Sequence, residues 1–266
     1  MRDLLVVKLG GAAGLNISAA VGDLALIAAQ RPVVVVHGVS ERMAMLSAER
    51  GLAVEVLVSP AGHESRYTPP PVRDLFVEAA GQVNAEIAGG LAALGISAVG
   101  LTGPLVLRGA RKDAVRAVVD GRIRVIRDDH TGAITSVEPL LIRDALAAGE
   151  VAVVPPLAAS TDGPLNVDGD RAAAAVAAAL SAAELVILSN VRGLYRRYPD
   201  ETTFVRAVRL DEMNDALNWA AGRMKRKVLG AQAALEGGVA RVVIGDGRRA
   251  NPLEAALAGE GTVFTR

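Results

Sequence analysis

Lysine is scarce in this 266-residue sequence, and its few positions are candidates for sites that need a compact positive charge. The 29 basic residues include only four lysines, which are Lys8, Lys112, Lys225 and Lys227. A lysine ammonium is a compact charge on a flexible stem, and it fits where a planar guanidinium does not. Biased codon use would give the same count, so the lysines indicate where to look and do not by themselves assign a function.

Glycine-containing turns follow the first two hydrophobic segments of the chain. Lys8-Leu9-Gly10-Gly11 ends the first segment, and His37-Gly38-Val39-Ser40 ends the second. Glycines at the ligand-facing edge of a parallel sheet let backbone N–H groups approach anionic oxygens closely. The P-loop and dinucleotide-binding patterns are absent, and a Gly-Gly turn is also common without a ligand. Two such turns side by side could direct backbone donors into one crevice.

Charged residues cluster at the starts of two predicted helices. Asn166, Asp168 and Asp170 precede an alanine-rich helix, where carboxylates are common as caps but could also hold lysines or a magnesium–nucleotide complex. Residues 222–227 include four cations where the helix dipole disfavours them. A solvated surface accounts for the arginines of this segment, whereas Lys227 has fewer structural explanations. Cations at the start of a helix oppose the helix dipole, and such a departure from a stabilising pattern often marks a functional site.

Composition excludes several classes of protein. Acidic and basic residues are equal in number, which argues against a protein that coats DNA or RNA. No cysteine is present, so disulfides, thiolate metal sites and cysteine nucleophiles are impossible. The three histidines are widely spaced and no GxSxG motif occurs, so neither a protein-bound metal nor a serine nucleophile is expected. No apolar run approaches the roughly 18 residues of a membrane span and no secretory signal is found, which predicts a soluble cytoplasmic protein without nucleic-acid or membrane partners.

The elements that must position these motifs follow an alternating pattern. Short β-branched segments alternate with alanine- and leucine-rich segments of helical length, as is typical of an α/β protein with a mainly parallel sheet. The predicted strands cover residues 4–9, 32–37, 54–58, 98–101, 151–155, 185–189 and 241–244. The predicted helices cover residues 18–29, 40–50, 72–94, 139–148, 169–183, 211–220, 222–236 and 252–257. Ser18 and Ser40 are the expected caps of the first two helices.

Two features interrupt this alternation. Residues 115–119 and 122–126 flank Asp120-Gly121, which predicts an inserted antiparallel β-hairpin. Small, turn-forming residues at 158–163 indicate a boundary between two lobes. We therefore expect an N-terminal lobe, residues 1–163, and a C-terminal lobe, residues 164–266.

In order along the chain, these motifs resemble those of the amino acid kinase family, whose members phosphorylate carboxylates, carbamate or nucleotide phosphates with ATP. The resemblance extends from Lys8 to the terminal Gly261-Thr262-Val263-Phe264. Within the family the sequence is most similar to the N-acetylglutamate kinase branch. Gly222-Arg223-Met224-Lys225-Arg226-Lys227 and Leu188-Ser189-Asn190-Val191-Arg192-Gly193-Leu194 are more like the LysW-carried α-aminoadipate kinases of that branch. The resemblance implies a three-layer αβα sandwich of the carbamate kinase-like type, with a mainly parallel central sheet and an inserted hairpin.

The resemblance also implies the residues that carry out phosphoryl transfer. Lys8 and Lys227 would neutralise charge on the transferring phosphoryl group from opposite sides. Asp170 would hold both lysines, and the backbone at Gly11 and Gly38 would bind phosphoryl oxygens. ATP would be the donor and would bring Mg²⁺ with it.

The implied binding residues divide between acceptor and nucleotide. Arg66 would grip the acceptor's α-carboxylate, with Asn166 as its amide partner and with Val39 and Ser40 nearby. Val39 replaces the second glycine of the family's His-Gly-Gly turn and is expected to reshape the acceptor site. The implied nucleotide-binding residues are Gly10, Ser189, Asn190, Gly193, Leu194, Tyr198, Gly222 and Met224.

The acceptor implied by the closest branch is α-aminoadipate attached through its amino group to LysW, a small acidic carrier protein, with LysW-bound glutamate as a second candidate. Residues 108–129 include seven basic and four acidic residues, and residues 192–227 include nine and five, so both segments are positively charged. They would steer an acidic partner if they line one cleft, although basic residues on a hairpin also simply keep an edge soluble.

Two alternative functions stay open. One is the N-acetyl-L-glutamate kinase of arginine biosynthesis, and the other is a nucleotide or amino-acid sensor that has lost turnover. The presence of Lys8, Asp170 and Lys227 favours the active enzyme. A homodimer is expected, because the N-terminal helix of the family's arginine-regulated hexamers has no counterpart before the first strand.

Overall fold

The computed structural model describes residues 3–60, 62, 64–119 and 121–266, which form sixteen strands and nine α-helices. The strands are β1 (Leu5–Leu9), β2 (Val33–His37), β3 (Val56–Val58), β4 (Glu64–Arg66), β5 (Ala98–Gly100), β6 (Leu107–Arg111), β7 (Val115–Val119), β8 (Arg122–Ile126), β9 (Gly132–Val137), β10 (Val151–Val154), β11 (Leu157–Ser160), β12 (Gly163–Asn166), β13 (Glu184–Ser189), β14 (Ala207–Arg209), β15 (Arg241–Asp246) and β16 (Gly261–Thr265). The helices are α1 (Ile17–Ala28), α2 (Ser40–Glu49), α3 (Pro70–Ala93), α4 (Gly103–Val106), α5 (Leu140–Ala147), α6 (Gly169–Ala179), α7 (Met213–Trp219), α8 (Gly222–Glu236) and α9 (Pro252–Leu257). All eight predicted helices are present, and α4 is the additional one.

Eight strands form a central sheet in the order β14-β16-β15-β13-β1-β2-β10-β5. Neighbouring strands are parallel except β15 and β16, which pair antiparallel. β1 and β2 are buried at every position, because helices cover both faces and leave no side of these strands to solvent. The prediction of a mainly parallel α/β sheet is confirmed.

The central sheet is the middle of three layers. Val7 of β1 packs in one hydrophobic cluster with Leu24 of α1 and Leu253 of α9. Val6, whose side chain points to the opposite face, packs in another cluster with Ala173 of α6. Because successive side chains of a strand alternate between faces, β1 contributes to both cores. The αβα sandwich is therefore present as expected.

Four neighbouring strands end together at one edge of this sheet. Leu9 at the end of β1 lies beside His37 of β2, and Ser189 at the end of β13 lies beside Asp246 of β15. Because β1 also pairs in parallel with β13, the turns that follow all four strands meet at this edge. The sheet thus brings the glycine turns and the residues after β13 to one side of the molecule.

Three smaller sheets flank the central one, in the orders β12-β11-β6-β9, β3-β4 and β7-β8. The predicted hairpin is confirmed, since β7 and β8 pair antiparallel, while Asp120 lies outside the described residues. The prediction of a strand at 54–58 within the wound sheet is wrong: β3 is shorter and pairs antiparallel with β4. Only Leu57 of β3 is buried, so this strand lacks the continuous apolar surface that the middle layer requires.

No helix among the described residues has both the length and the apolar character needed to cross a bilayer. The longest, α3, has 24 residues, but Arg73, Asp74, Glu78 and Glu86 interrupt it.

Candidate active site

Three charged side chains from three elements meet at the carboxyl edge of the sheet. Lys8 belongs to β1, Asp170 to the first turn of α6 and Lys227 to α8. One oxygen of the Asp170 carboxylate lies 2.9 Å from Nζ of Lys8, and the other lies 3.1 Å from Nζ of Lys227. None of the three side chains is more than 12% exposed. The structure therefore places the three residues expected to act on the phosphoryl group in one buried cluster.

The local sequence explains how the helices converge on this cluster. Asp168 caps α6, because its side chain accepts the backbone N–H of Asp170 at 3.0 Å and leaves the Asp170 carboxylate for the lysines. A Cβ at Gly169 would lie 3.4 Å from Cε of Lys8, and one at Gly230 would lie 3.2 Å from the Asp170 carbonyl oxygen. Glycine at 230 lets α8 approach α6 closely, whereas a Cβ at Gly169 would make only an ordinary contact with the Lys8 side chain.

The cluster carries a positive charge. Burial by itself would raise the pKa of the Asp170 carboxyl, but the ammonium groups of Lys8 and Lys227 outweigh it and lower the pKa to about 2. Burial and the nearby Lys8 lower the pKa of Lys227. When both lysines are protonated, one positive charge is left without a partner in this buried place. Such a site favours an anionic ligand, and it can stabilise charge that develops on a transferring phosphoryl group.

The two glycine turns pack against each other next to β1 and β2. A Cβ on Gly11 would lie 2.3 Å from the carbonyl carbon of Gly38, and one on Gly38 would lie 2.5 Å from the Gly11 nitrogen, so only glycine fits at either position. The Gly38 N–H already donates to the Leu9 carbonyl oxygen at 2.9 Å. Within the described residues, the N–H groups of Gly11 and Val39 donate to no backbone oxygen, which leaves them for a bound anion.

We expect Gly11→Ala to lower phosphoryl transfer about 100-fold, because the new Cβ must push the two turns apart and misplace their donors. Gly22→Ala is the matched control, since Gly22 is in α1 and a Cβ there meets no atom within 4 Å. Steady-state kinetics of both variants check this expectation. A Gly11→Ala enzyme as active as Gly22→Ala would show that the close packing of the turns is not needed.

His37 is buried and does not exchange protons near neutral pH. Burial lowers its pKa to about 4, although a hydrogen bond to Asn84 acts in the opposite direction. Asn84 donates through Nδ2 to the Leu101 carbonyl oxygen at 2.8 Å, so its Oδ1 accepts from Nε2 of His37 at 3.0 Å. The imidazole is therefore neutral and anchors the end of β2.

The two residues expected to bind the acceptor are connected through Thr68. Asn166 donates through Nδ2 to the Thr68 hydroxyl at 3.1 Å, and that hydroxyl donates to the Arg66 carbonyl oxygen at 3.0 Å. The Arg66 guanidinium lies over the Phe76 ring at 5.8 Å and forms no ion pair with the described residues. Burial and the nearby Arg223 lower the pKa of Arg66. An unpaired, partly buried guanidinium is well suited to bind a carboxylate.

Val39 and Ser40 lie where the second glycine turn meets α2. The Val39 side chain is 3% exposed and packs with Met43, Leu75 and other apolar residues in a third hydrophobic cluster. Its branched side chain therefore lies in the core, in the same cluster as Phe76, over which the Arg66 guanidinium lies. The prediction that Ser40 caps α2 is wrong, because Ser40 is the first residue of the helix and Val39 occupies the N-cap position without a side-chain cap.

The residues expected to bind nucleotide begin at the end of β13. Ser189 is buried, and its carbonyl oxygen accepts the N–H of Gly247 at 2.7 Å. Asn190 follows it and is exposed. A Cβ at Gly10 would lie 3.1 Å from the Leu188 carbonyl oxygen, so the first glycine turn lies directly against β13.

Further along the same loop, Gly193 and Leu194 are fixed by packing. A Cβ at Gly193 would lie 2.5 Å from Oγ1 of Thr262, and the same hydroxyl oxygen accepts the N–H of Leu194 at 2.8 Å. The Leu194 side chain is 1% exposed. Both residues are buried and shape the loop, and the carbonyl oxygen of Leu194 is also bonded, since it accepts the N–H of Val205 at 2.9 Å.

The remaining nucleotide candidates lie on the loop after β13 and at the start of α8. Tyr198 is 69% exposed and meets the Tyr195 ring edge-on, which leaves an aromatic surface that a base could contact. Gly222 starts α8 with φ of 51°, a conformation that favours glycine. Met224, on the first turn, is half-buried against the core.

Our sequence reasoning missed an ion pair at the end of β15. Arg248 donates to both oxygens of Asp246, at 2.7 Å through Nε and at 2.6 Å through its guanidinium terminus. The signal was available, since Asp246-Gly247 follows a predicted strand just as the first two glycine turns do. Sequence reasoning also missed Thr68, because its contact with Asn166 joins residues 98 positions apart and leaves no pattern in the local sequence.

The described residues contain no group of three or more His, Asp or Glu side chains that could hold a metal ion. Asp168 lies 3.8 Å from Arg226, and Asp170 binds the two lysines, so these carboxylates already have partners.

Comparison with known proteins places this geometry in context. The chain is 43% identical over 268 residues to a LysW-aminoadipate kinase of Deinococcus radiodurans, covering 99% of this chain and 92% of the relative. It is 40% identical to the LysW-aminoadipate kinase of Thermus thermophilus, covering 98% and 99%. A LysW-aminoadipate/LysW-glutamate kinase of Metallosphaera sedula is 32% identical, covering 97% and 99%.

Solved structures share the fold. N-acetylglutamate synthase of Neisseria gonorrhoeae superposes with a TM-score of 0.80 at 27% identity, and this chain spans all of its own length but 60% of that protein. Carbamate kinase of Giardia lamblia superposes with a TM-score of 0.69 at 18% identity, covering 99% and 98%. Residues 3–246 match the model of the amino acid kinase family. The chain therefore belongs to the amino acid kinase family.

Proposed function

We propose that this chain transfers the γ-phosphoryl group of ATP to the side-chain carboxylate of α-aminoadipate carried on a LysW-like protein, as a step of lysine biosynthesis. LysW-bound glutamate is proposed as a second acceptor, since some relatives are named for both. The observation that carries the proposal is the buried Lys8–Asp170–Lys227 cluster. The choice of acceptor is supported by sequence identities of 43% and 40% to two LysW-aminoadipate kinases over nearly the full length of the chain.

A carboxylate acceptor suits a site that lacks a general base. The acceptor is already ionised at neutral pH, so no proton has to be removed, and a buried His37 with a pKa of about 4 is no obstacle. A carboxylate oxygen forms a bond to the γ-phosphorus while the bond from that phosphorus to the β–γ bridging oxygen breaks. The products are an acyl phosphate and ADP. The reaction then depends on in-line positioning and on positive charge around the phosphoryl group.

The residues of the cluster supply that charge. Lys8 and Lys227 reach the site from β1 and α8, and Asp170 fixes both ammonium groups. The N–H groups of Gly11 and Val39 are placed to bind phosphoryl oxygens. Mg²⁺ bound to the ATP phosphates would add further positive charge. We assign acceptor binding and dimerisation to residues 1–163 and ATP binding to residues 164–266.

The β7–β8 hairpin supports a docking site for an acidic carrier. β7 packs against β3, and β3 pairs with β4, which holds Arg66, so the hairpin lies on the acceptor side. Its Ile123 and Val125 are each 53% exposed between arginines. An exposed apolar strip with cations is suited to a small acidic protein, because charge steers the approach and apolar contact retains the partner.

Reversing the charge of two arginines on this hairpin is expected to weaken association of the enzyme with the carrier-bound acceptor. With Arg116→Glu and Arg122→Glu together, we expect kcat/KM for the carrier-bound acceptor to fall about ten-fold or more at low salt, because steering is lost. The KM for ATP should not change. The difference from wild type should shrink as salt rises.

Arg143→Glu on α5 is the control for Arg116→Glu and Arg122→Glu made singly, because each of the three makes the same charge change at an exposed arginine and Arg143 is on a different element. Equal losses in the control and the single hairpin variants would show an effect of total charge and would contradict the docking site.

Trapping the product with hydroxylamine tests the proposed function. ATP-dependent hydroxamate should form with carrier-bound aminoadipate, and more slowly or not at all with free N-acetylglutamate. Turnover only with free N-acetylglutamate would contradict the proposal and would assign the chain as an N-acetyl-L-glutamate kinase of arginine biosynthesis. No product with either acceptor would support the sensor hypothesis and overturn the proposal.

We also propose that the enzyme is a cytoplasmic homodimer. β5 ends the central sheet, and the described residues leave its outer edge unpaired, so a second copy could continue the sheet or cover it. A single species of monomer mass in sedimentation equilibrium at micromolar concentration would contradict the dimer.

A further inference from the structure

Three chain segments lie side by side beneath the expected acceptor-binding residues. The N–H of His130 donates to the carbonyl oxygen of Thr68 at 2.8 Å, and the N–H of Asn166 donates to the carbonyl oxygen of His130 at 2.9 Å. The backbone at His130 therefore lies between the backbone at Thr68 and the backbone at Asn166. Whatever fixes this middle segment also fixes the distance between the two binding residues.

Asp129, in this middle segment, is a buried carboxylate that the phosphoryl-transfer site does not use. It is 2% exposed. One of its oxygens accepts the backbone N–H of Thr68 at 2.8 Å, and the other accepts the hydroxyl of Thr131. Its backbone is held as well, because Nε of Arg111 donates to the Asp129 carbonyl oxygen at 2.9 Å.

Thr68 connects Asp129 to the acceptor-binding residues. Its side chain is fully buried. Its hydroxyl accepts from Asn166 at 3.1 Å and donates to the Arg66 carbonyl oxygen at 3.0 Å. The Asp129 carboxylate therefore fixes a residue that itself touches both binding residues.

We propose that Asp129 is a positioning residue of the acceptor site, holding Thr68 so that Arg66 and Asn166 keep the separation that the acceptor requires. The inference rests on the proposed function, because it assumes that Arg66 and Asn166 bind the acceptor. The chemistry is local. The side chain of Asp129 meets the Thr68 N–H and the Thr131 hydroxyl at the same time, and burial excludes the water that would compete for these hydrogen bonds.

A conservative variant distinguishes positioning of Thr68 by hydrogen bonds from an effect of the negative charge of Asp129. In Asp129→Asn, the amide oxygen can still accept from Thr68, and the amide N–H₂ can donate to the Thr131 hydroxyl, so both contacts survive. We expect its KM for the acceptor to stay within about three-fold of wild type. In Asp129→Ala both contacts are lost, and the KM for the acceptor should rise about ten- to 100-fold while the KM for ATP is unchanged.

Two further variants keep the test decisive if Asp129→Ala folds poorly. Thr131→Val removes one contact of the carboxylate and should raise the acceptor KM by a smaller factor. Asp128→Asn is the matched control, since Asp128 is an exposed neighbour that bonds to the Tyr67 hydroxyl and should change neither KM. In a double-mutant cycle, Asp129→Ala and Asn166→Ala should be non-additive, because the first already misplaces the group that the second removes.

The outcomes separate this inference from the proposed function. A wild-type enzyme without acceptor turnover would overturn the function. An active wild-type enzyme in which Asp129→Ala raises both KM values equally, or in which Asp129→Asn is as impaired as Asp129→Ala, would overturn the positioning role. A KM change confined to the acceptor, together with rescue by asparagine, supports it.

Discussion

Lys227→Ala is expected to lower kcat by about 10²- to 10³-fold, the range that follows removal of one preorganised donor from a transition-state site. The Lys227 ammonium lies 3.1 Å from an Asp170 oxygen and is held there from α8, so the charge is in place before the reaction begins. Its truncation leaves Lys8 as the remaining cation of the cluster. Because the lost interaction strengthens in the transition state, the main effect should be on kcat and not on KM.

Lys225→Ala is the control for this prediction. Lys225 is on the same helix, is exposed and has no ion pair within the described part of the chain. Single-turnover measurements with saturating ATP and acceptor should show slow chemistry in Lys227→Ala and normal chemistry in Lys225→Ala. Turnover close to wild type in Lys227→Ala would remove Lys227 from the mechanism.

Asp170→Ala should impair both folding stability and activity. The substitution leaves two buried lysines facing each other without a counter-charge, and breaking a buried ion pair in this way costs about 3–5 kcal/mol in free energy of unfolding. Phosphoryl transfer should fall below detection, because neither ammonium is then held. Denaturant unfolding at neutral pH, compared with wild type, measures the stability change. A loss of less than about 1 kcal/mol would show that the lysines do not depend on Asp170.

The pH dependence of this contribution has a defined sign. The pKa of Asp170 is lowered from 3.8 to about 2 in the folded protein. The stabilisation is therefore complete above about pH 4 and is lost as the pH falls towards 2, where the folded carboxyl takes up its proton, and it amounts to about 2 kcal/mol. In Asp170→Asn this step in stability should be missing. An identical acid profile in the two proteins would contradict the assignment.

The sequence was informative where function depends on the ends of parallel strands. The turn after Lys8 and the turn after His37 follow strands that proved to be adjacent and parallel, so their meeting was predictable from the pattern alone. The start of α6 could likewise be placed from its alanine-rich helix, which brought Asp170 into consideration. These inferences worked because one sheet edge collects every strand end of the same direction.

Contacts between distant segments could not be read from local patterns. Ser18 was the expected cap of α1, but Asn16 caps it and also donates to the Arg249 carbonyl oxygen, 233 positions along the chain. Thr68 and Asp129 are 61 positions apart, and Thr68 and Asn166 are 98 apart. No periodicity records such pairs, because they depend on how separate segments pack. The hydrogen bonds that connect Asp129, Thr68 and Asn166 could therefore be found only in the structure.

Val39 shows that the residue type alone does not predict where a side chain at a turn is directed. Its replacement of a family glycine predicted a narrower acceptor site, because a branched side chain was added to the turn. The structure places that side chain in the core beside Met43, in the cluster that also contains Phe76, over which the Arg66 guanidinium lies. The direction of a side chain at a turn depends on the backbone conformation, which the residue type alone does not determine.

The most direct test of the central claim is to follow oxygen from the acceptor. Carrier-bound aminoadipate labelled with ¹⁸O in its side-chain carboxylate is incubated with the enzyme and Mg²⁺-ATP, and the acyl phosphate is cleaved with hydroxylamine, which attacks the carbonyl carbon and releases phosphate. If the carboxylate attacks the γ-phosphorus, each phosphate released with a hydroxamate contains one ¹⁸O atom. Phosphate that contains no ¹⁸O, with ADP formed at the same rate, would mean that water is the acceptor and would contradict the assignment of this chain as a carboxylate kinase.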